Sequence, residues 1–168
     1  MPSLGTQMRL LDSELRNQLA GLLRGGNAHV DLSAAVKDFP AALYGVKPQG
    51  SPHSAWDLLE HLRLALHNLL DFSTNPGYRE PNWPDDYWPG PSTPPSEAAW
   101  RSSIRAIKSD LKAFEELVKD PESNLYAEIP WAKNHQTLLR EVLLAGDHNS
   151  YHIGELVLLR RILGAWKG

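Results

Sequence analysis

The sequence contains no cysteine. This absence excludes disulfide bonds, thiolate zinc sites and a cysteine nucleophile. The 20 acidic residues slightly outnumber the 17 basic ones, and a net charge of −3 offers no basic surface, so we expect no nucleic-acid partner. No run of about 18 apolar residues occurs either, and we therefore expect no membrane-spanning helix.

Several sequence signals of location and chemistry are also missing. The segment from Met1 to Leu15 lacks the basic start and apolar centre of a secretory signal, so we expect a cytoplasmic protein. The sequence has no Gly-rich phosphate loop, no Gly-x-Ser-x-Gly nucleophile elbow and no His-Glu-x-x-His zinc-protease motif. Because Glu-x-x-His is absent too, a carboxylate-bridged di-iron bundle is disfavoured.

Apolar residues recur at helical spacing in five segments, and no segment of useful length alternates with the period of a strand. Of the 168 residues, 42% are hydrophobic and 22% charged, which is typical of one soluble globular domain over residues 1–168. The helical segments run from Gly5 to Arg24, from Asp31 to Phe39, from a Ser54 cap to Asn75, from a Ser96 cap to Asp120, and from about Gln136 to Leu163. This pattern predicts an all-α protein: a four-helix bundle with an extra N-terminal helix.

The segment Asn75 to Pro95, which connects the second and third bundle helices, is rich in both proline and aromatic residues. Disordered linkers are poor in aromatics, so an ordered loop is predicted. Its length permits a long second-to-third crossover that leaves the two helices parallel. We expect the loop to line the mouth of a substrate pocket, with Trp83 facing that pocket and Trp88 facing a partner subunit.

The most informative pattern is the histidine pair His148 and His152 on the last helix. Residues four apart on a helix point the same way, and here that direction is the apolar stripe. His61 lies on the apolar stripe of the second bundle helix, between Leu58 and Ala65. Three buried imidazoles without a shared partner are costly, whereas one divalent ion would use all three and leave a fourth position open. Core histidines satisfied by ordinary hydrogen bonds are the alternative reading.

Carboxylates near this pattern are less clearly placed. Glu155 follows His152 by three residues, so it could be a fourth ligand, a general base, or a group that orients an imidazole. It could equally pair with Arg160 or Arg161 at the helix surface. Periodicity places Glu60 on the solvated face of its helix, together with Arg63. The histidines outside the pattern, at positions 29, 53, 67 and 135, are weaker candidates.

Two segments resemble the DinB-like superfamily of bacterial metalloproteins. SAWDLLEHL at residues 54–62 is similar to the start of the family's second helix, and DHNSYHIGEL at 147–156 is similar to the His-x-x-x-His-x-Gly signature of its last helix. The link from residues 38–40 to 46–48 also resembles the family. The resemblance implies a four-helix bundle with a long crossover, a divalent metal held by His61, His148 and His152, and frequent homodimers. Glu155 stands where many relatives carry Gln.

The family resemblance also implies a range of functions. Some relatives are thiol S-transferases that use low-molecular-weight thiols, so the first expectation is a metal-dependent enzyme that transfers a thiol to a small electrophile. A metal-dependent hydrolase and a non-catalytic bundle that binds a metal or small ligand are the alternatives. Three imidazoles suit zinc and nickel, and also iron and cobalt. The expected partners are a small-molecule substrate and a second copy of the chain.

Overall fold

The computed structural model describes residues 3–166, and its regular elements are helices. The five α-helices are α1 (Leu4–Arg24), α2 (Leu32–Val36), α3 (Ala55–Thr74), α4 (Glu97–Lys119) and α5 (Leu138–Ile162). Two short 3-10 helices lie at Ala41–Leu43 and Asp85–Tyr87. Within residues 3–166 no strand forms, which confirms the all-α prediction, and no helix there is long and apolar enough to cross a membrane.

Helix α2 is shorter than the sequence indicated. It ends at Val36 rather than at Phe39, because Lys37 takes a ψ of 127° and Asp38 a positive φ of 52°, and both turn the chain out of the helix. Phe39 nevertheless packs in the core, where its ring lies 5.5 Å from that of Trp100. The residue therefore contributes to the core from a loop, and not from a helical stripe.

The start of α3 carries the predicted capping box. Asp57 N–H donates to Ser54 Oγ at 3.1 Å, and Ser54 N–H donates to Asp57 Oδ2 at 2.9 Å. The Ser54 hydroxyl also donates to the Ser92 carbonyl at 2.7 Å. The helix that carries His61 is thus fixed at its start to the far end of the crossover loop.

Hydrogen bonds show how the helices run relative to one another. The Ser103 hydroxyl on α4 donates to Glu60 on α3, and His67 on α3 bonds Asp110 on α4, so the same 43-residue offset holds at both points. A constant offset means that α3 and α4 are parallel, as the crossover predicted. Helix α5 packs against α3 in the opposite direction, and α1 closes the ring of four by contacting both α4 and α5.

The position of Glu60 contradicts the sequence expectation of a solvated side chain. Only 8% of Glu60 is exposed, because α4 packs over this face of α3 and Ser103 donates to the carboxylate. Arg63 donates to the same carboxylate, with its Nη2 2.8 Å from Glu60 Oε2. The buried charge is therefore paired and hydrogen-bonded, as burial of a carboxylate requires.

The two glycines of α5 that flank its histidines provide a matched test of packing. A Cβ added at Gly146 would lie 2.5 Å from Leu22 Cγ, whereas one at Gly154 would meet nothing within 4 Å. We expect Gly154→Ala to raise the free energy of unfolding by about 1 kcal/mol through helix propensity. We expect Gly146→Ala to lower it by about 1–3 kcal/mol, because α1 and α5 must move apart. Urea denaturation checks both, and equal stability of the two variants would contradict the close approach of α1 and α5.

Candidate metal centre

The antiparallel packing of α3 and α5 brings three imidazoles together. His61 comes from α3, and His148 and His152 come from successive turns of α5. One nitrogen of each ring lies within 4.8 Å of one nitrogen of each other ring. Nε2 of His61 and Nε2 of His148 are 3.0 Å apart. His61 and His152 are buried, and His148 is half-buried at the wall of a cavity.

Two of these rings are oriented by hydrogen bonds at their outer nitrogens. Nδ1–H of His61 donates to the Tyr87 carbonyl at 2.8 Å, and Nδ1–H of His152 donates to Glu155 Oε2 at 2.7 Å. A neutral imidazole that donates from Nδ1 keeps a lone pair on Nε2. Both rings are therefore held in the tautomer whose inner nitrogen can bind a metal ion. Hydrogen bonding of the outer nitrogen is the usual arrangement around metal-ligating histidines.

The third ring, His148, has an unusual hydrogen-bond pattern. Among residues 3–166 its buried Nδ1 has no hydrogen-bond partner, and neither does the buried Oδ1 of the neighbouring Asn149. Without a metal, His148 Nε2–H would donate to His61 Nε2, which leaves His148 Nδ1 as a bare buried acceptor. With a cation between the inner nitrogens, the proton would move to Nδ1, beside an acceptor that needs a donor. The orphaned Nδ1 therefore fits a divalent ion, which bonds imidazole nitrogens at about 2.0–2.1 Å.

The crossover loop covers this cluster through Trp88. The Trp88 ring stacks on His61 at 3.9 Å and 3° and on His53 at 4.2 Å and 10°. Two parallel rings so close to one centroid must lie on opposite faces, so Trp88 is sandwiched between the two histidines. Trp88 remains half-exposed, so its contact with a partner subunit stays a prediction, but its packing on the histidines was not expected from the sequence. Sequence spacing missed it because the loop folds back along the bundle.

Burial keeps the cluster neutral. Burial lowers the pKa of His61, although the Tyr87 carbonyl opposes the shift. Burial and the neighbouring imidazoles lower the pKa of both His148 and His152 to about 4. Close imidazoles repel each other when protonated, so each disfavours the charge of the next. At neutral pH all three rings are therefore in the unprotonated form that ligates metals.

The cluster lies at the wall of a cavity of about 630 Å³, a volume that suits a small organic ligand. Trp83, also predicted to face a pocket, lines it and remains 71% exposed. Sequence reasoning missed Arg140 and Glu141, which line the cavity farther along α5, as well as Trp131. The signal for Glu141 was available, because it precedes His148 by seven residues and so shares its helix face.

Glu155 and the remaining histidines lie outside the three-ring cluster. Glu155 bonds the outer nitrogen of His152 and is 36% exposed, an arrangement that corresponds to the orienting role among its three candidate roles. It forms no ion pair with Arg160, whose guanidinium donates to backbone carbonyls instead. The other histidines have partners elsewhere: His29 with Ser150, His53 with Trp88, His67 with Asp110 and His135 with Glu128.

Comparison with known proteins identifies one family. The model of the DinB superfamily matches residues 27–156, a range that contains the three histidines and Glu155. The match begins after α1 and includes both segments that carried the resemblance in the sequence. No curated protein and no solved structure matches the chain.

The lowered pKa values predict a pH dependence of stability for the metal-free protein. Between the unfolded pKa of about 6.5 and the folded pKa of about 4, the unfolded chain binds more protons at His148 and His152 than the folded chain does. Stability therefore falls as the pH falls through this window and levels off below it. Urea midpoints of chelator-treated protein from pH 7 to pH 4 would measure the slope. A His148→Gln, His152→Gln variant should show a shallower slope, and an unchanged slope would contradict burial of neutral rings.

The hydrogen bond from His152 to Glu155 predicts an effect on metal affinity. Removing a carboxylate that orients a ligating histidine usually weakens binding about 10–100-fold. We expect that loss in Glu155→Ala and a smaller one in Glu155→Gln, which retains an acceptor oxygen. Glu116→Ala, on the exposed face of α4, is the control. Competition with a chromophoric chelator would give the affinities, and wild-type affinity in Glu155→Ala would exclude both the orienting and the ligand role.

Proposed function

Because this chain belongs to the DinB superfamily, we propose that it is a metal-dependent enzyme in which His61, His148 and His152 hold one divalent ion. The observation that carries the proposal is the convergence of three neutral imidazoles at the wall of a cavity large enough for an organic molecule. A bound ion with an open position would lower the pKa of a thiol or water and so supply a nucleophile near neutral pH. The donor set favours zinc or nickel, with iron or cobalt as alternatives.

Within this class we propose thiol S-transfer to a small electrophile. Hydrolysis benefits from a free general base beside the nucleophile. Two carboxylates of α5 that share the helix face of the histidines are engaged elsewhere, since Glu155 bonds the outer nitrogen of His152 and Glu141 pairs with Arg140. A thiol needs less help than water, because its own pKa is already much closer to neutral. Metal-dependent hydrolysis and binding without catalysis are the alternatives that the experiment distinguishes.

The chain's own residues would prepare the site in three ways. The Tyr87 carbonyl and Glu155 hold the outer protons of His61 and His152, so that the inner nitrogens stay free. Trp88 shields one face of His61 from water. The aromatic rings of the cavity offer stacking surfaces to an organic substrate.

The homodimer is also a proposal. Three large side chains that share one face of α5 are mostly exposed: Tyr151 at 65%, Leu158 at 58% and Ile162 at 58%. Exposed apolar faces of this kind are typical of protein interfaces. Covering the face with a second copy of the chain would remove these side chains from water.

Metal analysis and turnover together test the proposed function. We expect close to one divalent ion per chain in protein purified without a His-tag, and loss of the ion in His148→Ala. His67→Ala, which alters an exposed histidine outside the cluster, should keep it. Metal removal should lower the melting temperature. Relative to protein in free metal at 100 times its Kd, the free energy of unfolding should fall by about 2.7 kcal/mol. Full metal occupancy in His148→Ala would contradict the ligand assignment.

The reaction is resolved by product analysis with the same variants. Loaded enzyme is mixed with small electrophiles and with thiols, and the products are identified by mass spectrometry. A thioether that forms with wild type and His67→Ala but not with His148→Ala supports thiol transfer. Addition of water in place of the thiol would establish the hydrolase, and a loaded protein that turns over neither would be a binding protein.

A further inference from the structure

The cavity beside the three histidines has no net charge. Four lining side chains are of charged types, two acidic and two basic, and each is paired with another of the four. Arg140 Nη1 lies 2.7 Å from Glu141 Oε1, and Lys133 Nζ lies 3.2 Å from Glu80 Oε2. Because the two ion pairs cancel, these side chains offer a ligand polar groups without an excess of either sign.

The pair of Arg140 and Glu141 resists a charged ligand because its members differ in burial. The Glu141 side chain is 1% exposed, whereas that of Arg140 is 55% exposed. A ligand anion that drew Arg140 away would leave a buried carboxylate unpaired, which is strongly unfavourable. A ligand cation would have to displace Arg140 from the same carboxylate. A neutral hydrogen-bonding group costs neither, because it can bond to Arg140 while the ion pair through Nη1 stays intact.

The rest of the lining favours a flat apolar body. Ala65, Leu69 and Leu144 supply an aliphatic wall from α3 and α5. Trp83 and Trp88 supply aromatic faces from the crossover loop. Aromatic rings gain from stacking in addition to the burial of their area.

Helix geometry sets the length of the ligand. Arg140 and Glu141 precede His148 by eight and seven residues on α5. At about 1.5 Å per residue, the polar end of the cavity is about 10–12 Å from the histidine end. That distance corresponds to two linked six-membered rings with a substituent at each end.

From these observations we propose that the cavity selects an uncharged, elongated aromatic compound. Its far end carries a neutral hydrogen-bonding group, such as a carboxamide or hydroxyl, beside Arg140 and Glu141. Its near end lies at His61 and His148 and is the part that reacts. This substrate class rests on the proposed function only for the chemistry of the near end. The preference for a neutral body follows from the cavity alone.

Three biphenyl probes of equal length test the selection. Each has a methyl group at one end, which binds no metal, and at the other a carboxamide, a carboxylate or an aminomethyl group. Binding to the full chain, with and without added Zn²⁺, is measured by calorimetry and by quenching of tryptophan fluorescence. We expect the carboxamide to bind the metal-free wild-type chain about tenfold more tightly than either charged probe, a difference that corresponds to about 1.4 kcal/mol.

Charge variants invert this preference if the argument is right. Glu141→Gln leaves Arg140 unpaired, so the carboxylate probe should then bind more tightly than the carboxamide. The double variant Arg140→Gln, Glu141→Gln is neutral again and should restore the preference for the carboxamide. Lys133→Gln leaves Glu80 unpaired, so it should shift affinity toward the aminomethyl probe. Because Lys133 is exposed, this variant provides a test even if Glu141→Gln does not fold. Glu97→Gln breaks an exposed ion pair outside the cavity and should change nothing.

The outcomes separate this inference from the proposed function. Tighter binding of a charged probe to wild type, equal binding of all three, or binding of none overturns the neutral substrate class. Because the probes carry no reactive group and are also measured without metal, the absence of turnover has no bearing on that result. Conversely, a clear carboxamide preference combined with no metal binding would overturn the proposed function and leave the cavity selection standing.

Discussion

The candidate site depends on the burial of three neutral imidazoles between α3 and α5. His61 and His148 could not place their inner nitrogens 3.0 Å apart if both rings were protonated, because two imidazolium N–H groups would face each other and the two charges would repel. The rings stay neutral because they are removed from water. Their outer N–H groups also need hydrogen-bond acceptors. The Tyr87 carbonyl accepts the hydrogen bond of His61, and the Glu155 carboxylate accepts that of His152. The packing of α3 against α5 therefore sets both the protonation state of the rings and the positions of their inner nitrogens.

The crossover loop is required by the parallel arrangement of α3 and α4, and it contributes contacts to the histidine site. Parallel α3 and α4 cannot be joined by a tight turn, because the chain must return along the length of the bundle. The returning segment passes over the open side of α3 and α5, where it contributes the Tyr87 carbonyl and the Trp88 ring to His61. A connection between antiparallel helices would be too short to reach this point. The same segment supplies most of the aromatic wall of the cavity.

Particular residues show where sequence reasoning ended. The stripe positions of His61, His148 and His152 were readable, because helical periodicity assigns each residue to a face without knowledge of its neighbours. The capping box at Ser54 and Asp57 was readable for the same local reason. Glu60 was placed wrongly, since its burial comes from α4, which is distant in the sequence. The packing of Trp88 on His61 was not predicted, because a loop has no periodicity from which a facing direction follows.

The sequence by itself determined the helical elements, their caps, the inward direction of three histidines and membership of the DinB superfamily. These properties depend on spacing over one or two turns, and local backbone geometry translates spacing into structure. The tertiary structure alone decided that the three rings meet and which groups hold their outer nitrogens. It also decided that the cavity beside them is charge-balanced through pairs such as Arg140 and Glu141. Each of these depends on the relative position of elements far apart in the chain, because distances between packed helices and a returning loop are set by the core as a whole.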